Sequence, residues 1–357
     1  MARNVSSTTS RINTGGAVSL GYGFETGFNT TQSTIGNIFG LNQKVSNLTL
    51  NTSQVSLNKL GQVEPTKFYF GQQSGQVGVG FVFDDNEAFK IFRCIYENSG
   101  SSIQTSSPFN YPASLGENTT GDGTPATITT RIQMQNGANM ITRTLSGCVV
   151  TSIGINTSIG ETVNGTVDMS FAEESTTDVE TTANITAQST TGASGFAQGG
   201  TPYTFAHGKV KMATGGSDAN TSNNSYVEVF DIQDIDLSFS PNAEMLYALG
   251  SHYAQNAFRR IFDVGGRFRT THKDGALLQY VINQSIEGLE TETVAEGTGA
   301  DAGVGLELTF TNGSKTMEIE FGGVSLSDHS TSGLEPAEPI YEEVNFKAKS
   351  SHIKITT

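Results

Sequence analysis

Apolar residues recur at every second position in many short segments of this chain, and turn-forming residues separate those segments. In GQVGVGFVFDD, for example, Val77, Val79, Phe81 and Phe83 alternate with small or polar residues. Such alternation places apolar side chains on one face of a β-strand. The chain has 357 residues, of which 35% are hydrophobic, 15% are charged and 41 are glycine. Threonine suits strands and glycine suits turns, so the sequence predicts a mainly β fold with a few short helices.

The same order of predicted strands, turns and helix occurs twice along the chain. LTLNTSQVSLNKLG (Leu48–Gly61) and LSFSPNAEMLYALG (Leu237–Gly250) each combine an alternating strand, a polar break and Leu-x-x-Leu-Gly. In the first half the pattern predicts two strands in 66–85, a short amphipathic helix from Asn86 to Asn98, a long polar loop at about 99–125, and three further strands. In the second half it predicts strands from 227 to 271, a helix over 274–284, an acidic loop at 287–303 and closing strands. Gly147 and either Gly322 or Gly323 begin matching strands. The repetition predicts an internal duplication, although any two β regions with turns share part of such a pattern.

These patterns divide the chain into four parts. An N-terminal arm (1–20) precedes a first β domain (21–172), and a Ser/Thr/Gly-rich linker or arm (173–200) leads to a second β domain (201–357). The expected fold class is therefore two tandem β-sandwich or β-barrel domains, each with a short α-helix and a long loop.

The charge balance limits the partners that the chain can bind. The formal net charge is −15, whereas proteins that grip nucleic acid usually present a basic patch to the phosphates. An acidic surface suits a wall past which DNA slides. The first residues lack the apolar core of a secretory signal, and no stretch approaches the ~18–20 apolar residues of a membrane span. We therefore expect a protein that is made in the cytosol and does not enter a membrane.

The sequence predicts no catalytic residues, no cofactor-binding residues and no metal ligands. Five histidines are scattered without ligand spacing, and the pairs Asp84-Asp85 and Glu342-Glu343 are typical of turn and strand-edge surface charges. The glycine-rich stretches 21–27 and 75–80 lack the lysine and the helix that phosphate binding requires. The two cysteines, Cys94 and Cys148, lie in hydrophobic stretches and are predicted to be buried reduced thiols.

One basic cluster stands out in FRRIFDVGGRFRTTHK. It contains Arg259, Arg260, Arg267, Arg269, His272 and Lys273. The cluster could contact DNA or pair with carboxylates of the same or a neighbouring chain. The acidic balance of the whole chain favours pairing with carboxylates.

The element order resembles that of the tail tube proteins (major tail proteins) of long-tailed bacterial and archaeal viruses. The segments that carry the resemblance in the first half are Leu48–Gly61, Val77–Asp85, Asn86–Tyr96 and Leu145–Phe171. Those in the second half are Ile232–Gly250, Gly265–Thr271, Asp274–Gln284 and Phe321–Phe346. Many such proteins carry one tube domain and form sixfold rings, whereas this chain resembles a duplicated domain.

The resemblance implies a structural protein and not an enzyme. Its domains would pair edge to edge into rings around a DNA channel, and the long loops at 99–125 and 287–303 would join stacked rings into a tube. With two domains per chain, a ring would be a trimer with pseudo-sixfold symmetry. The implied partners are other copies of the chain, the tape measure protein, the tail terminator and the baseplate or tip proteins. The implied location is the virion tail, after assembly in the host cytoplasm. Two alternatives stay open: another virion component (head decoration or tail completion), and a secreted or surface-layer β-rich protein resembling an adhesin.

Overall fold

The computed structural model of the chain is built almost entirely from β-strands. It describes residues 18–33, 35–57, 67–86, 88–97, 107–111, 124–136, 139–180, 200–213, 227–229, 232–272, 304–333 and 339–357. The strands of the first half are β1 (Val18–Phe24), β2 (Leu41–Leu57), β3 (Lys67–Val82), β4 (Phe109–Tyr111), β5 (Ile128–Asn136), β6 (Asn139–Ser158), β7 (Asn164–Phe171) and β8 (Glu173–Glu180). Those of the second half are β9 (Gly208–Ala213), β10 (Val227–Val229), β11 (Ile232–Ser240), β12 (Glu244–Tyr247), β13 (Ala254–Phe258), β14 (Asp263–Thr271), β15 (Val304–Asn312), β16 (Lys315–Ser332), β17 (Tyr341–Ala348) and β18 (Ser350–Thr356). The predicted mainly β class is confirmed.

The helix predicted from Asn86 exists, but it is shorter and more deeply buried than expected. A 3-10 turn (Ala88–Phe92) continues into α1 (Arg93–Tyr96), and every residue of α1 is buried. The helix is therefore part of the hydrophobic core and not an amphipathic surface helix. Asp84 caps its start, because Asp84 Oδ1 accepts a hydrogen bond from the Ala88 amide at 2.9 Å. A second 3-10 turn covers Phe205–His207, and the helix predicted over 274–284 lies outside the described residues.

A long bent strand joins two sheets in the first half. The first part of β6 belongs to the order β1–β5–β6–β8, and its second part belongs to β2–β3–β7–β6. The bend lies at Gly147, which has a φ of 61°, a conformation that glycine adopts without strain. Buried Glu25 stabilises the bend, because it accepts hydrogen bonds from the Gly147 amide and from the Thr127 and Thr129 hydroxyls.

The second half uses the same arrangement. The first part of β16 belongs to the order β9–β15–β16–β18, and its second part belongs to β11–β14–β17–β16. Gly323, with a φ of 59°, lies where β16 passes from one sheet to the other. The matching glycines are thus Gly147 and Gly323, and they lie within their strands and not at the strand starts. Two further strands extend the second-half sheet, since β10 pairs with β9 and β4 pairs with β18.

The two halves share one sheet because β6 pairs with β11. The antiparallel register runs from Asp234 opposite Ser158 to Phe239 opposite Ile153. The resulting order, β16–β17–β14–β11–β6–β7–β3–β2, is called the eight-stranded sheet below. Among the described strands, only the outermost ones, β2 and β16, lack a second partner within this sheet.

The hydrophobic core is continuous between the halves. Phe92 of the helix packs against Phe239 of β11, with ring centroids 5.6 Å apart, and Phe239 stacks on Phe321 of β16 at 5.9 Å. All three rings are buried. Burying such a ring contributes about 1.5–3 kcal/mol. Each half is therefore stabilised in part by residues of the other half.

Three local features differ from the sequence prediction. Residues 67–82 form one long strand where two were expected, because the glycines in this segment continue the pleat. Residues 173–180, assigned to the linker, form β8 against β6, because threonine and valine there suit a strand. Within the predicted loop at 99–125, β4 pairs with β18, and buried Phe109 and Tyr111 pack on the helix.

Candidate assembly surfaces

Strand β2 offers one open edge of the eight-stranded sheet. Among the described residues, β2 pairs with β3 alone. Val45 and Leu48 are partly buried against the core, and Leu50 is 43% exposed. A long edge strand with apolar side chains that are only partly covered is a template for pairing with another chain.

The opposite edge is the end of β16. Ser327–Ser332 pair with β17 on one side, across a bulge between Ser327 and Ser330. In the part of the chain that the structure describes, no strand pairs with the other side of this stretch. The sheet therefore ends in two open edges, one contributed by each half.

The hairpin formed by β12 and β13 carries exposed apolar residues and contacts β3. Strands β12 and β13 form a separate two-stranded sheet, which is held against β3 because the Gln73 amide donates to the His252 carbonyl at 2.8 Å. Two large apolar side chains of this hairpin, Leu246 and Leu249, are exposed, and together they are called the hairpin surface below. Exposed apolar side chains of this size are candidates for contact with another chain.

The basic cluster predicted from the sequence is held by contacts within the chain. Arg267 lies on the polar face of the eight-stranded sheet, 3.2 Å from Glu343 and 3.7 Å from Asp236. The hydrogen bond to Glu343 raises the pKa of Arg267 above its usual value. Arg260 pairs with Glu244, and Arg269 stacks on the Tyr341 ring.

The remaining members of the cluster point in different directions. Arg259 is largely buried and donates to the carbonyls of Cys94 and Glu97, and burial lowers its pKa to about 10. His272 contacts Glu342, and Lys273 lies outside the described residues. The described cations therefore pair with carboxylates, carbonyls or a ring of the same chain, as the acidic balance predicted, and they do not form one basic patch.

The other polar pairs noted in the sequence have structural partners. Asp84 caps the helix, and Asp85 accepts a hydrogen bond from the Thr201 amide and pairs with Lys315. Glu342 is buried between His272 and His329, whereas Glu343 pairs with Arg267. Each of these four carboxylates therefore has a structural partner within the chain.

A comparison with protein families identifies the group to which the chain belongs. The family model described as phage tail tube protein matches residues 15–348. The chain belongs to the phage tail tube protein family. This family is structural and not enzymatic, so the chain is a structural protein of the virion tail that self-assembles into a tube with other tail proteins as neighbours. No curated protein matches the chain in sequence.

Two further observations bear on this tail tube protein. None of the described helices is long and apolar enough to cross a membrane. Leu249, the second leucine of the repeated Leu-x-x-Leu-Gly motif, is fully exposed, which its apolar character did not predict. The glycine that follows it indicates a turn, and a turn is where a leucine can be exposed.

Proposed function

We propose that this protein forms stacked rings whose inner wall is the eight-stranded sheet, and that the resulting tube conducts DNA during ejection. The observation that carries the proposal is the pairing of β6 with β11. It joins the edge of one half to the edge of the other half inside a single chain. The same contact, repeated between chains, would close a ring.

The strand order supports an internal duplication. Each half contains two four-stranded sheets that share its bent strand. In one sheet the bent strand is third, and the orders are β1–β5–β6–β8 in the first half and β9–β15–β16–β18 in the second. In the other sheet it is last, and the orders are β2–β3–β7–β6 and β11–β14–β17–β16. The bent strand turns at a glycine with nearly the same φ in both halves. In this proposal, β2 corresponds to β11 and β6 corresponds to β16.

That correspondence defines the contact between chains. Since β6 pairs with β11 within the chain, the end of β16 would pair with β2 of the next chain. Three chains would then supply six tube domains, and the closed sheet would retain no open edge. Tethering two domains in one chain also makes every second contact intramolecular, at an effective concentration of about millimolar for a short flexible link.

The polar face of the eight-stranded sheet would line the channel. Its charged groups include Asp236, Arg267 and Glu343, which neutralise one another in part. The excess of carboxylates in the whole chain would leave the phosphates of passing DNA without a firm partner. The tape measure, tail terminator and baseplate or tip proteins are the further partners that we propose, with assembly in the host cytoplasm.

Electron microscopy of the purified full-length protein tests this function. We expect rings or tubes with threefold symmetry. Leu50→Lys adds a charge at the β2 edge and is expected to yield folded protein without closed rings. Gln76→Lys, an exposed position on the neighbouring strand β3, is the matched control and should assemble normally. Rings of six full-length chains, or normal rings from the Leu50→Lys variant, would contradict the proposal.

A further inference from the structure

Strand β4 extends a sheet that belongs to the other half of the chain. It lies between the helix and β5 in the first half, whereas its partner β18 is an outer strand of the second-half sheet. The pairing is antiparallel, with Tyr111 opposite Ile353 and Phe109 opposite Ile355. The first half therefore pairs with the second half at two places, through β6 with β11 and through β4 with β18.

Side chains of the first half complete this contact. Phe109 packs against Phe89, and Tyr111 packs against Tyr96, with ring centroids 4.9 Å and 5.8 Å apart. The Tyr96 hydroxyl and Ser351 Oγ lie 2.7 Å apart, within hydrogen-bond distance. The outer edge of β18 is therefore covered by β4, and the helix of the first half contacts the same strand.

Strand β8 is the counterpart of β18 in the first half. Arg143 lies four residues before the glycine of the first bend and opposite Thr176 of β8. Ile319 lies four residues before the glycine of the second bend and opposite Ile353 of β18. Thr176 therefore corresponds to Ile353, which is the residue that β4 covers.

The outer edge of β8 is open. Among the described residues, β8 pairs with β6 alone. Residues 175–177 are exposed, whereas Ile353 of β18 is fully buried. The nearby charge of Glu174 is compensated by Arg143, whose Nε and Nη2 lie 2.5 Å and 2.9 Å from its two carboxylate oxygens. An uncharged edge with β-branched threonines can accept a further strand.

We propose that the outer edge of β8 binds a second copy of the chain, and that residues 287–303 of that copy supply the added strand. This segment follows β14 and precedes β15, just as β4 follows β3 and precedes β5. It lies outside the described residues, and its sequence includes TETVA (291–295), in which threonine and valine suit a strand.

The inference rests on the ring proposed above. In that ring, the rotation that carries the first half onto the second also carries the second half onto the first half of the next chain. The contact of β4 with β18 then recurs between chains as a contact of 287–303 with β8. Each chain holds its neighbour at two places, through β16 with β2 and through 287–303 with β8. The segment therefore acts within a ring and not between stacked rings.

Hydrogen exchange followed by mass spectrometry tests the contact in the full-length protein. Exchange is compared between assembled rings and the unassembled Leu50→Lys variant. We expect the outward-facing amides of 175–177 to exchange at least about tenfold more slowly in rings, the factor that one hydrogen bond of ordinary strength contributes. Residues 353–355 are the internal reference and should be protected in both samples, because β4 covers them within the chain.

Two proline variants identify the added strand. Thr293→Pro removes a backbone donor from TETVA. Its rings should still form through β16 and β2, but the amides of 175–177 should exchange as fast as in the unassembled variant. Thr298→Pro, between two glycines of the same segment, is the matched control and should keep the protection of unmodified rings.

The outcomes separate this inference from the proposed function. Rings in which 175–177 exchange as fast as in the unassembled variant overturn this inference alone. Protection that survives Thr293→Pro overturns it as well, and if removal of residues 1–17 then abolishes the protection, the N-terminal arm is the occupant of the edge. Failure of the unmodified protein to form rings contradicts the proposed function, and this inference with it.

Discussion

At the scale of single residues, burial determines the acid–base behaviour of the two thiols. Cys94 and Cys148 are free and buried, as the sequence predicted. Burial raises the pKa of Cys94 to about 12 from its ordinary value of 9.0, and it raises the pKa of Cys148 as well. The unfolded thiols ionise first as the pH rises. The stabilisation is therefore fully present below pH 9 and is lost as the pH increases toward the folded pKa values.

We predict a measurable alkaline loss of stability from these thiols. Between pH 7 and pH 10, each thiol should lower the free energy of unfolding by about 1.4 kcal/mol, the equivalent of one pH unit above the unfolded pKa. Urea unfolding of the unmodified protein and of the Cys94→Ala/Cys148→Ala variant at both pH values measures the difference. Buried tyrosines also titrate at high pH, but they are the same in both proteins. Equal losses in the two proteins would contradict the prediction.

At the scale of elements, the sequence predicts where the strands lie better than it predicts which strands pair with each other. The alternation in β5, β6, β7 and β15 is local, so it is visible in the letters. The pairing of β6 with β11 joins segments that are distant in the sequence, and no residue pattern in either strand specifies the other as its partner. For the same reason the two open edges could not be predicted, because an edge strand and a central strand carry similar patterns.

Some smaller features could not be predicted because the residue types involved are common in more than one kind of local structure. Asp84 and Asn86 are both good helix caps, so the sequence alone did not select Asp84. Threonine in 173–180 is common to linkers and strands, and only the contact with β6 distinguishes them. Within the predicted loop at 99–125, β4 pairs with β18 of the second half, and its Phe109 and Tyr111 are buried against the helix. These two side chains therefore do not reach another ring, and the hairpin surface is the better candidate for contact between rings.

The hairpin surface carries a prediction about stacking. Leu249 is fully exposed at the tip of the β12–β13 hairpin, so Leu249→Asp should change the free energy of unfolding by no more than about 0.5 kcal/mol. If the hairpins join stacked rings, the aspartate should leave single rings intact and shorten or abolish tubes in electron micrographs. Ile159→Asp, at the exposed turn after β6, is the matched control and should form normal tubes. Normal tubes from Leu249→Asp would exclude this contact.

At the scale of the whole molecule, the contact inside the chain serves as a template for the contact between chains. Ile155 lies opposite Leu237 where β6 meets β11. Ile155 comes eight residues after the bend at Gly147, and Thr331 comes eight residues after the bend at Gly323. Leu48 matches Leu237 in the repeated motif. Thr331 of one chain should therefore lie opposite Leu48 of the next chain, within the Cβ separation of about 4.5–5.5 Å that opposed strand residues have.

This register predicts the number of chains in a ring. A chain with both Leu48→Cys and Thr331→Cys should form disulfides between neighbours after mild oxidation, because opposed Cβ atoms lie near the separation that a disulfide requires. Since each chain links to two others, a non-reducing gel of assembled rings should show covalent species up to three chains and none larger. The mismatched pair Thr166→Cys with Thr331→Cys places one cysteine in the middle of the sheet and should not crosslink. Ladders that extend to six chains would show that each ring holds six copies, and the two halves of the chain would then not be neighbouring segments of one wall.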